Sequence, residues 1–494
     1  MKKFFAQWFK SPESKNDRVA TPSVATHAST KRDETGNPVD DAKRLAKAGE
    51  VKKALALLAP LAADTNAGPQ LLMILGNCYL INGQPERAIE AMERAHTQQP
   101  SDPAITLNLA NALRDSGNLP RAESLLHSLV AQNQLLAEAF DLLGVLRLDS
   151  DDPAAAIDYF ERALTHAPGY TRARFNRSCA LLTIGRSIEA WADHELRAAT
   201  AHRATRPINT TTWHGEKALD KSLFVYAEQG IGEEILFASC FNAASAHFRQ
   251  CTVECSEKLQ RLFSQSFPNI HFLGRNWHNE YALPPQSAGA DVVIAEGSLL
   301  RWLRPDPMAT PHMAPYLKAD AQRIQYWRER LATHGRAPYI GLCWRGGTRF
   351  TRQRFRSLAP RELEPLFKAL PQATFVSLLH TATPDELSEL HALSAGRLIH
   401  VAEPLVDMAE TAALMSALDL TISIPTTVVY LASALGVPVW ACTTRGAGWK
   451  YGYTGDQSMW LPGARLFRQH AHFDWPEVIR RVASELPRWH DRRK

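Results

Sequence analysis

A period of 34 residues runs through the first half of this chain and limits the folds open to it. Glycine or aspartate recurs with this spacing at Gly49, Gly83, Gly117, Asp151 and Gly185. Alanine does so at Ala54, Ala88, Ala122, Ala156 and Ala190. A third set of small residues is Gly76, Ala110, Gly144 and Ser178. Because periods of this length are typical of stacked supersecondary units, the pattern predicts an α-solenoid over residues 39–204.

Each repeat reads as two amphipathic helices joined by a turn. Leu72, Leu75 and Tyr79 fall on one helical face, residues 82–84 form an Asn-Gly-Gln turn, and a second apolar series starts at Ala88. A helix-turn-helix unit of this period resembles the tetratricopeptide repeat. The resemblance implies a concave surface that binds a partner protein or peptide. A structural spacer or a dimerisation arm is the alternative.

Residues 1–38 precede the repeats and are predicted to be a disordered tail and linker. Residues 11–38 are polar and hold almost no large apolar side chains that could offset the entropy of ordering. Residues 1–10 mix lysine with phenylalanine and tryptophan. This stretch is suited to a weak contact with a membrane surface, and the alternative is a hydrophobic chain end without a role.

Composition excludes several classes of protein. No stretch is long and apolar enough for a transmembrane segment. The net charge of +5 over 494 residues is too small to indicate a nucleic-acid partner. Seven cysteines occur without a C-x-x-C pair, so we expect no metal site and reduced thiols in a cytoplasmic protein.

The second half alternates short β-rich runs with helical ones. Strands are predicted at residues 223–227, 252–255, 270–273, 291–295, 339–344, 374–379, 398–401, 420–424 and 437–442, and helices at 233–249, 258–267, 361–369, 384–393, 408–417 and 427–435. Such alternation is typical of parallel sheets covered by helices. It predicts two Rossmann-like lobes, at residues 205–335 and 336–494, with ligands bound beyond the carboxyl ends of the strands.

Two candidate sites follow predicted strands that begin a lobe. Gly230 and Gly232 form a tight turn ahead of a helix and allow a ligand to approach the backbone. Glu233 or Glu234 then offers a general base, or merely complements the helix dipole. In the second lobe, five arginines lie between residues 345 and 356, namely Arg345, Arg349, Arg352, Arg354 and Arg356. This loop is suited to bidentate phosphate binding, and a solvated basic loop is the alternative.

Two further sites follow later strands of the second lobe. Thr426 and Thr427 stand at the start of a helix, where a hydroxyl either caps the helix or donates to a phosphate. Trp449 and Lys450 belong to a glycine-rich aromatic loop over residues 445–453. This loop is suited to stacking on a base or a sugar, and the alternative is a surface loop packed on its own aromatic residues.

Together these motifs resemble the bacterial tetratricopeptide-repeat glycosyltransferases, whose C-terminal part is similar to the heptosyltransferases and, more distantly, to protein O-GlcNAc transferases. The motifs are at residues 213–216, 228–238, 340–344, 356–358, 419–423, 432–436 and 465–469. The resemblance implies a GT-B architecture of two Rossmann-like lobes. It also implies a nucleotide-sugar substrate, no other cofactor and no required metal.

The resemblance also implies roles for individual residues. Glu233 stands where the family commonly has Asp and would deprotonate the acceptor. Arg345 would offset the charge of the leaving diphosphate, with help from Arg356, Thr426, Thr427 and Lys450.

The chain departs from the family pattern at two positions. Pro425 stands in place of Asp and Tyr430 in place of His. The leading hypothesis is a glycosyltransferase whose repeats present the acceptor, a protein or a glycan. The alternative is a repeat scaffold with a degenerate, non-catalytic domain.

Overall fold

The structure of this protein is a computed structural model. It describes residues 37–200, 210–275, 289–309, 313–347 and 355–493. The predicted tail, apart from its last two residues, and Arg349, Arg352 and Arg354 lie outside the described residues. Contacts divide the chain into two compact units. The first comprises residues 1–146, 162–170 and 197–205, and the second comprises residues 147–161, 171–196 and 206–494.

The repeat region is helical, as predicted. Its helices are α1 Pro38–Lys47, α2 Val51–Ala62, α3 Pro69–Ile81, α4 Pro85–Gln98, α5 Pro103–Ser116, α6 Leu119–Ala131, α7 Leu136–Asp149, α8 Pro153–His166, α9 Thr171–Thr183, α10 Ser187–His194 and α11 Arg197–Thr200. Many begin with proline, whose fixed φ suits the first helical position and whose missing N–H is not needed there.

The 34-residue series of glycine and aspartate marks the turns between paired helices. Gly49, Gly83, Gly117 and Gly185 have φ of 85°, 75°, 91° and 83°. Asp151 replaces glycine in the fourth turn and has φ of 62°. Glycine, and less often aspartate, tolerates this left-handed conformation, which ends one helix and lets the chain reverse.

A second series allows close helix packing inside a repeat. A Cβ on Gly76 would lie 2.7 Å from the Cγ atom of Met92, which is fully buried. Ala88 is also fully buried on the facing helix. Only a small residue at position 76 therefore lets α3 and α4 approach this closely.

The second unit contains two parallel sheets. Strands β1 Ala218–Tyr226, β2 Phe248–Ser256, β3 His271–Arg275 and β4 Val292–Ala295 form the first, in the order β3-β2-β1-β4. Its helices are α12 Ile231–Phe237, α13 Phe241–Ser245, α14 Glu257–Ser266 and α15 Leu299–Leu303.

The second sheet has six strands in the order β10-β9-β8-β5-β6-β7. They are β5 Tyr339–Cys343, β6 Thr374–Ser377, β7 Leu398–His400, β8 Leu420–Ser423, β9 Val439–Thr443 and β10 Ala464–Arg468. Helices α16 Ala321–Ala332, α17 Glu364–Ala369, α18 Pro384–Leu393, α19 Met408–Ser416, α20 Thr427–Leu435 and α21 Trp475–Asp491 accompany it. The predicted fold class, an α-solenoid followed by two Rossmann-like lobes, is confirmed.

One predicted helix is wrong in part. The helix expected over residues 233–249 ends at Ser245, and a 3-10 turn at Ala238–Cys240 interrupts it. Strand β2 begins at Phe248, which pairs with Ala218 of β1 and is buried. Sheet pairing and burial of the phenylalanine override the helical pattern of the preceding alanines.

The strand orders place one crevice in each lobe. The order reverses between β1 and β4 in the first sheet and between β5 and β8 in the second. In open parallel sheets, ligands bind outside the carboxyl ends of the strands at such switch points. The loops at residues 227–230 and 296–298, and those at residues 344–347 and 424–427, are therefore the first places to look for a site.

Helices α9 and α10 of the repeat region belong to the second unit. The Trp191 indole N–H and the Ser187 hydroxyl both donate to the Pro305 carbonyl, at 2.8 and 2.7 Å. Trp191 also packs edge-on against Trp460, with 5.9 Å between ring centroids. The last repeat thus shares a core with the α/β lobes, while the boundaries predicted at residues 204 and 335 stay predictions.

The sequence also makes predictions about membrane-spanning helices and disulfides. No helix among the described residues is long and apolar enough to cross a membrane. All seven cysteines are free thiols.

Candidate functional site

The loop after β1 brings the two lobes together. Gly230 caps α12 in an extended conformation, with φ of −88° and ψ of 169°. A Cβ on Gly232 would lie 3.1 Å from the Tyr430 ring, which belongs to α20 of the second lobe. Glycine at position 232 therefore allows α12 and α20 to pack closely across the interface between the lobes.

Glu233 and Lys450 form an ion pair across this interface. Their side chains are 27% and 18% exposed, so both are screened from water without being sealed off. Burial raises the pKa of Glu233, but the charge and hydrogen bond of Lys450 and the charge of Arg356 outweigh it. The resulting pKa lies below the ordinary value, and Glu233 is ionised at neutral pH.

Arg356 is the second cation of this group. Its guanidinium donates to the Pro425 carbonyl at 2.7 Å, at the carboxyl end of β8. From there its charge acts on Glu233. The structure thus brings Glu233, Lys450 and Arg356 together from three separate segments, and we call them the interlobe charge cluster.

Two buried tyrosines adjoin the interlobe charge cluster. The rings of Tyr430 and Tyr451 meet edge to face, with centroids 6.3 Å apart, and both are buried. Burial raises the pKa of Tyr430, and the charge of Glu233 adds to that effect. The Tyr430 side chain is therefore uncharged at neutral pH. Tyr430 stands where the glycosyltransferases that the sequence resembles commonly have His.

Thr426 caps α20. Its hydroxyl accepts the Val428 N–H at 3.3 Å and lies 3.1 Å from the Ser423 hydroxyl. A Cβ on Gly346 would lie 2.2 Å from the Thr426 methyl carbon, so glycine lets the loop after β5 pass close by. Thr427 is the first helical residue and is half-buried. Both threonines stand at the β5–β8 switch point.

Arg345 also follows β5, but its guanidinium is joined to Glu386. The Nε and Nη2 atoms contact the two carboxylate oxygens at 3.0 and 2.9 Å, and Nη2 also donates to the Thr381 carbonyl. Burial raises the pKa of Glu386, but Arg345 outweighs it and holds that pKa below the ordinary value. The structure thus ties Arg345 to the start of α18, and its catalytic role stays a prediction.

Trp449 is packed in a core of aromatic rings. Its ring meets Trp460 and His194 edge to face, with centroids 5.1 and 5.6 Å apart, and 8% of the residue is exposed. The Lys450 ammonium lies 5.6 Å from the centroid of the same ring. This packing fixes the position of the loop that carries Lys450. Donor stacking on Trp449 stays a prediction.

Sequence reasoning missed two buried carboxyl groups, Glu254 and Glu296, that bind the loop after β1. Glu296 accepts the N–H groups of Glu228 and Gln229 at 3.1 and 3.2 Å, and Glu254 accepts that of Ala227 at 3.1 Å. Glu234 accepts the Ser256 N–H at 2.7 Å. Of the two adjacent glutamates, Glu234 is therefore a buried structural residue, and Glu233 belongs to the interlobe charge cluster.

Burial raises the pKa of Glu296 well above its ordinary value, and the charges of Glu234 and Glu228 add to this. Glu296 therefore holds its proton more tightly than an exposed glutamate does. The signal for it was present in the sequence, since it directly follows an apolar strand at residues 292–295. Polar residues at the carboxyl ends of parallel strands are candidates for such positions.

Comparison with known families identifies the repeats. Residues 46–171 match the family model of the tetratricopeptide domain of cytochrome c-type biogenesis protein H. Residues 142–204 match the model of a tetratricopeptide repeat. The predicted tetratricopeptide repeats are thereby confirmed.

Three further proteins are similar to larger parts of this chain. Protein FlbA of Caulobacter vibrioides is 26% identical over 473 residues, which cover 83% of this chain and 77% of that protein. A glycosyl transferase of family 9 from Veillonella parvula is 12% identical, with a TM-score of 0.40 over 55% of this chain and 99% of that one. The ADP-heptose lipopolysaccharide heptosyltransferase II of E. coli is 16% identical, with a TM-score of 0.42 over 54% of this chain and 98% of that one.

The chain carries tetratricopeptide repeats in its N-terminal part, followed by a two-lobed α/β region whose solved neighbours include glycosyltransferases.

Proposed function

We propose that this protein is a glycosyltransferase that moves a sugar from a nucleotide-sugar donor to an acceptor presented by its repeats. The observation that carries the proposal is the interlobe charge cluster. One carboxylate and two cations meet between two parallel sheets, next to the switch point of each. A reaction that deprotonates a hydroxyl and releases a diphosphate needs these charges side by side.

Glu233 is the general base in this proposal. The acceptor hydroxyl loses its proton to the Glu233 carboxylate as its oxygen bonds to the anomeric carbon of the sugar. The bond from that carbon to the diphosphate breaks, and its electron pair stays on the diphosphate oxygen. Because Lys450 and Arg356 lower the pKa of Glu233, the carboxylate is ionised and able to accept the proton.

Lys450 and Arg356 stabilise the leaving diphosphate. Both already lie near a carboxylate, so a bound diphosphate competes with Glu233 for Lys450. As Lys450 turns to the phosphate, Glu233 loses its counter-charge while it stays screened from water, and its pKa rises. Donor binding would thereby make Glu233 a stronger base. Side-chain cations supply the counter-charge here, so the proposed reaction needs no metal.

The remaining predicted residues have supporting places in the proposal. Thr426 and Thr427 stand at the start of α20 beside Pro425, where a phosphate would also meet backbone N–H groups. Gly230 and Gly232 give the donor access to the loop after β1. Arg345 would contribute only if Glu386 released it.

The repeats point to the kind of acceptor. Tetratricopeptide repeats bind proteins and peptides, so we propose a polypeptide, or a glycan carried by one, as the partner. We place the reaction in the cytoplasm, which the seven free cysteines support, because such thiols persist in a reducing compartment. The proposal involves no nucleic acid.

A titration of the full-length protein tests the donor class. UDP, GDP, ADP and CMP, each with its common sugars, are added while the melting temperature is followed. A ligand at 100 times its dissociation constant stabilises the folded state by about 2.7 kcal/mol. We expect one nucleotide to shift the melting temperature, and Lys450→Met to weaken that shift. For the turnover measurement with Glu233→Gln, the control variant is Glu389→Gln, which changes an exposed residue on α18.

Turnover is tested with the nucleotide-sugar that corresponds to the nucleotide found to bind. Without an acceptor, water takes the place of its hydroxyl, so we expect slow hydrolysis of the nucleotide-sugar to free sugar and nucleotide. Glu233→Gln should reduce this hydrolysis by 100-fold or more, because general bases contribute about 10²–10⁴-fold. Unchanged hydrolysis in Glu233→Gln would show that the carboxylate has no such role.

A second candidate is a non-catalytic scaffold. Two observations favour it: Tyr430 fills the space against Gly232, and Glu386 holds the Arg345 guanidinium. A scaffold need not bind a nucleotide. The absence of any melting shift across the panel, together with retained binding of a partner by the repeats, would establish it.

A further inference from the structure

Two phenylalanines stack at the carboxyl edge of the second sheet. The rings of Phe355 and Phe473 lie 4.2 Å apart between centroids, with 26° between their planes. Phe473 follows β10, and Phe355 immediately precedes Arg356 of the interlobe charge cluster. We call this pair the phenylalanine stack.

Phe473 is held in an unfavourable state in two respects. Its φ is 64°, in the left-handed region that residues with a side chain rarely adopt. It is also 42% exposed, although one side of its ring is covered by Phe355. Residues held in sparsely populated backbone conformations cluster at active sites and ligand-binding sites.

Neighbouring residues fix the phenylalanine stack in place. The Trp475 indole N–H donates to the Phe355 carbonyl at 3.3 Å, and Trp475 itself is buried. Asp474, next to Phe473, caps α21 by accepting the Glu477 N–H at 3.1 Å. The exposed ring is therefore set by the start of a long helix, as a preformed surface requires.

The phenylalanine stack adjoins one cation of the interlobe charge cluster along the chain. Arg356 follows Phe355 directly and reaches Pro425 at the carboxyl end of β8. Consecutive Cα atoms lie about 3.8 Å apart, so the backbone that carries one ring of the stack is also the backbone that carries this cation.

We propose that the exposed ring of Phe473 is the stacking surface for the nucleobase of the donor nucleotide. This inference rests on the proposed function and names the part of the donor that the charge cluster does not contact. Every base offers a π-face, so stacking alone recognises a nucleotide without selecting one base. Phe473 would thus contribute affinity, and the contacts that choose among the bases lie elsewhere.

The experiment measures binding to the full-length protein by isothermal titration calorimetry. The probes are UDP, GDP, ADP and CMP, with inorganic pyrophosphate as a ligand that has phosphates but no base. The variants are Phe473→Ala and Phe473→Tyr. Leu219→Ala removes an exposed apolar side chain at the start of β1 and is the matched control.

We expect Phe473→Ala to weaken binding of the preferred nucleotide by about 5- to 100-fold, the range measured for the loss of base stacking. Pyrophosphate binding should stay unchanged, Phe473→Tyr should keep the affinity for the nucleotide, and Leu219→Ala should have no effect. The melting temperature of each ligand-free variant checks its fold. An unaltered value in Phe473→Ala shows that its fold persists, and if that value falls, Phe473→Tyr with a normal melting temperature is the variant that is compared.

Three outcomes overturn the proposal, and they are distinguishable. If wild-type protein binds a nucleotide and Phe473→Ala binds it equally well, the stacking role is wrong while the proposed function stands. If Phe473→Ala weakens pyrophosphate as much as the nucleotide, Phe473 only supports the phosphate site. If wild-type protein binds none of the nucleotides, the proposed function and this inference fall together.

Discussion

The Lys450 ammonium and the Glu233 carboxylate meet between the two lobes, one from a loop after β9 and the other from the first turn of α12. Both side chains are more than two-thirds buried. This pair therefore links the stability of the interface between the lobes to the chemistry of the site.

Removing Lys450 should destabilise the protein in a manner that depends on pH. The pKa of Glu233 is lowered in the folded state, so the pair stabilises fully above the ordinary glutamate pKa, roughly 4.3, and this contribution is lost as pH falls through the lowered value. We expect Lys450→Met to cost about 1–2 kcal/mol at pH 7 and less at pH 4, measured by urea unfolding.

An exposed ion pair provides the control for that experiment. Lys368 and Glu364 lie 2.8 Å apart on α17, with 72% and 41% of their side chains exposed. Lys368→Met should cost no more than about 0.5 kcal/mol at either pH. A loss in Lys450→Met that is equally large at both pH values would contradict the role of the charge pair.

Glu296→Gln should stabilise the protein, and the gain should grow as pH rises from 5 to 8. The pKa of Glu296 is raised in the folded state, so the unfolded chain releases its proton at a lower pH than the folded one. Stability is then lost as pH rises above roughly 4.3. Glutamine keeps the carbonyl that accepts the Glu228 and Gln229 N–H groups without this loss.

Urea unfolding of both proteins at pH 5 and pH 8 measures this effect. A gain of about 1–3 kcal/mol at pH 8 is expected, the range typical of the desolvation cost of one buried polar group. Glu389→Gln should change nothing at either pH, because Glu389 is exposed. If the advantage of Glu296→Gln over wild type shrinks from pH 5 to pH 8, folding does not raise the pKa of Glu296.

Gly446→Ala should destabilise the second unit strongly. Gly446 has φ of 60°, and a Cβ would lie 2.3 Å from the Leu148 carbonyl oxygen. Neighbouring Arg445 donates to the Ser150 carbonyl at 3.0 Å, so the backbone on both sides has little room to move. We expect a loss of about 2–4 kcal/mol from steric overlap and backbone strain together.

Gly455→Ala separates the effect of backbone strain from that of steric overlap. Gly455 has φ of 76°, but no atom lies within 4 Å of its added Cβ. Its substitution should cost only about 1 kcal/mol, the strain of the left-handed conformation. Equal losses in the two variants, measured by thermal melting, would mean that the contact with residue 148 contributes nothing.

Phe473→Gly should be more stable than Phe473→Ala. Both variants lose the ring that stacks on Phe355, but only alanine keeps a Cβ in a backbone with φ of 64°. The difference should be about 1 kcal/mol in favour of glycine, read from urea unfolding midpoints. If alanine is the more stable, the backbone at residue 473 carries no strain.

The architecture followed from the sequence because local patterns repeat or alternate there. The 34-residue series at Gly49 and Gly83 marks left-handed turns, and those turns appear where the period places them. Most predicted strands of the two sheets also appear within a few residues. The strand at residues 464–468 was missed, because a five-residue run with two arginines has no apolar alternation to mark it.

The site was harder to predict because its contacts join distant parts of the chain. The sequence offered Glu233, Lys450 and Arg356, but nothing local shows that Lys450 pairs with Glu233, 217 residues away. Nor does it show that Glu386 holds Arg345. The place of Glu296 directly after an apolar strand was a local signal, but its partners, the N–H groups of residues 228 and 229, lie far away in the sequence.

The shared core of α10 and the α/β lobes has a consequence for how such chains can change in length. Trp191 binds Pro305 and packs on Trp460, and Trp460 packs on Trp449, next to Lys450. Insertion or loss of a repeat ahead of residue 147 leaves these contacts intact. A chain cut after residue 204 would instead take Trp191 and His194 away from Trp460 and Trp449, next to Lys450. The last repeat is thus a structural part of the α/β region, and a change in the number of repeats is best tolerated ahead of it.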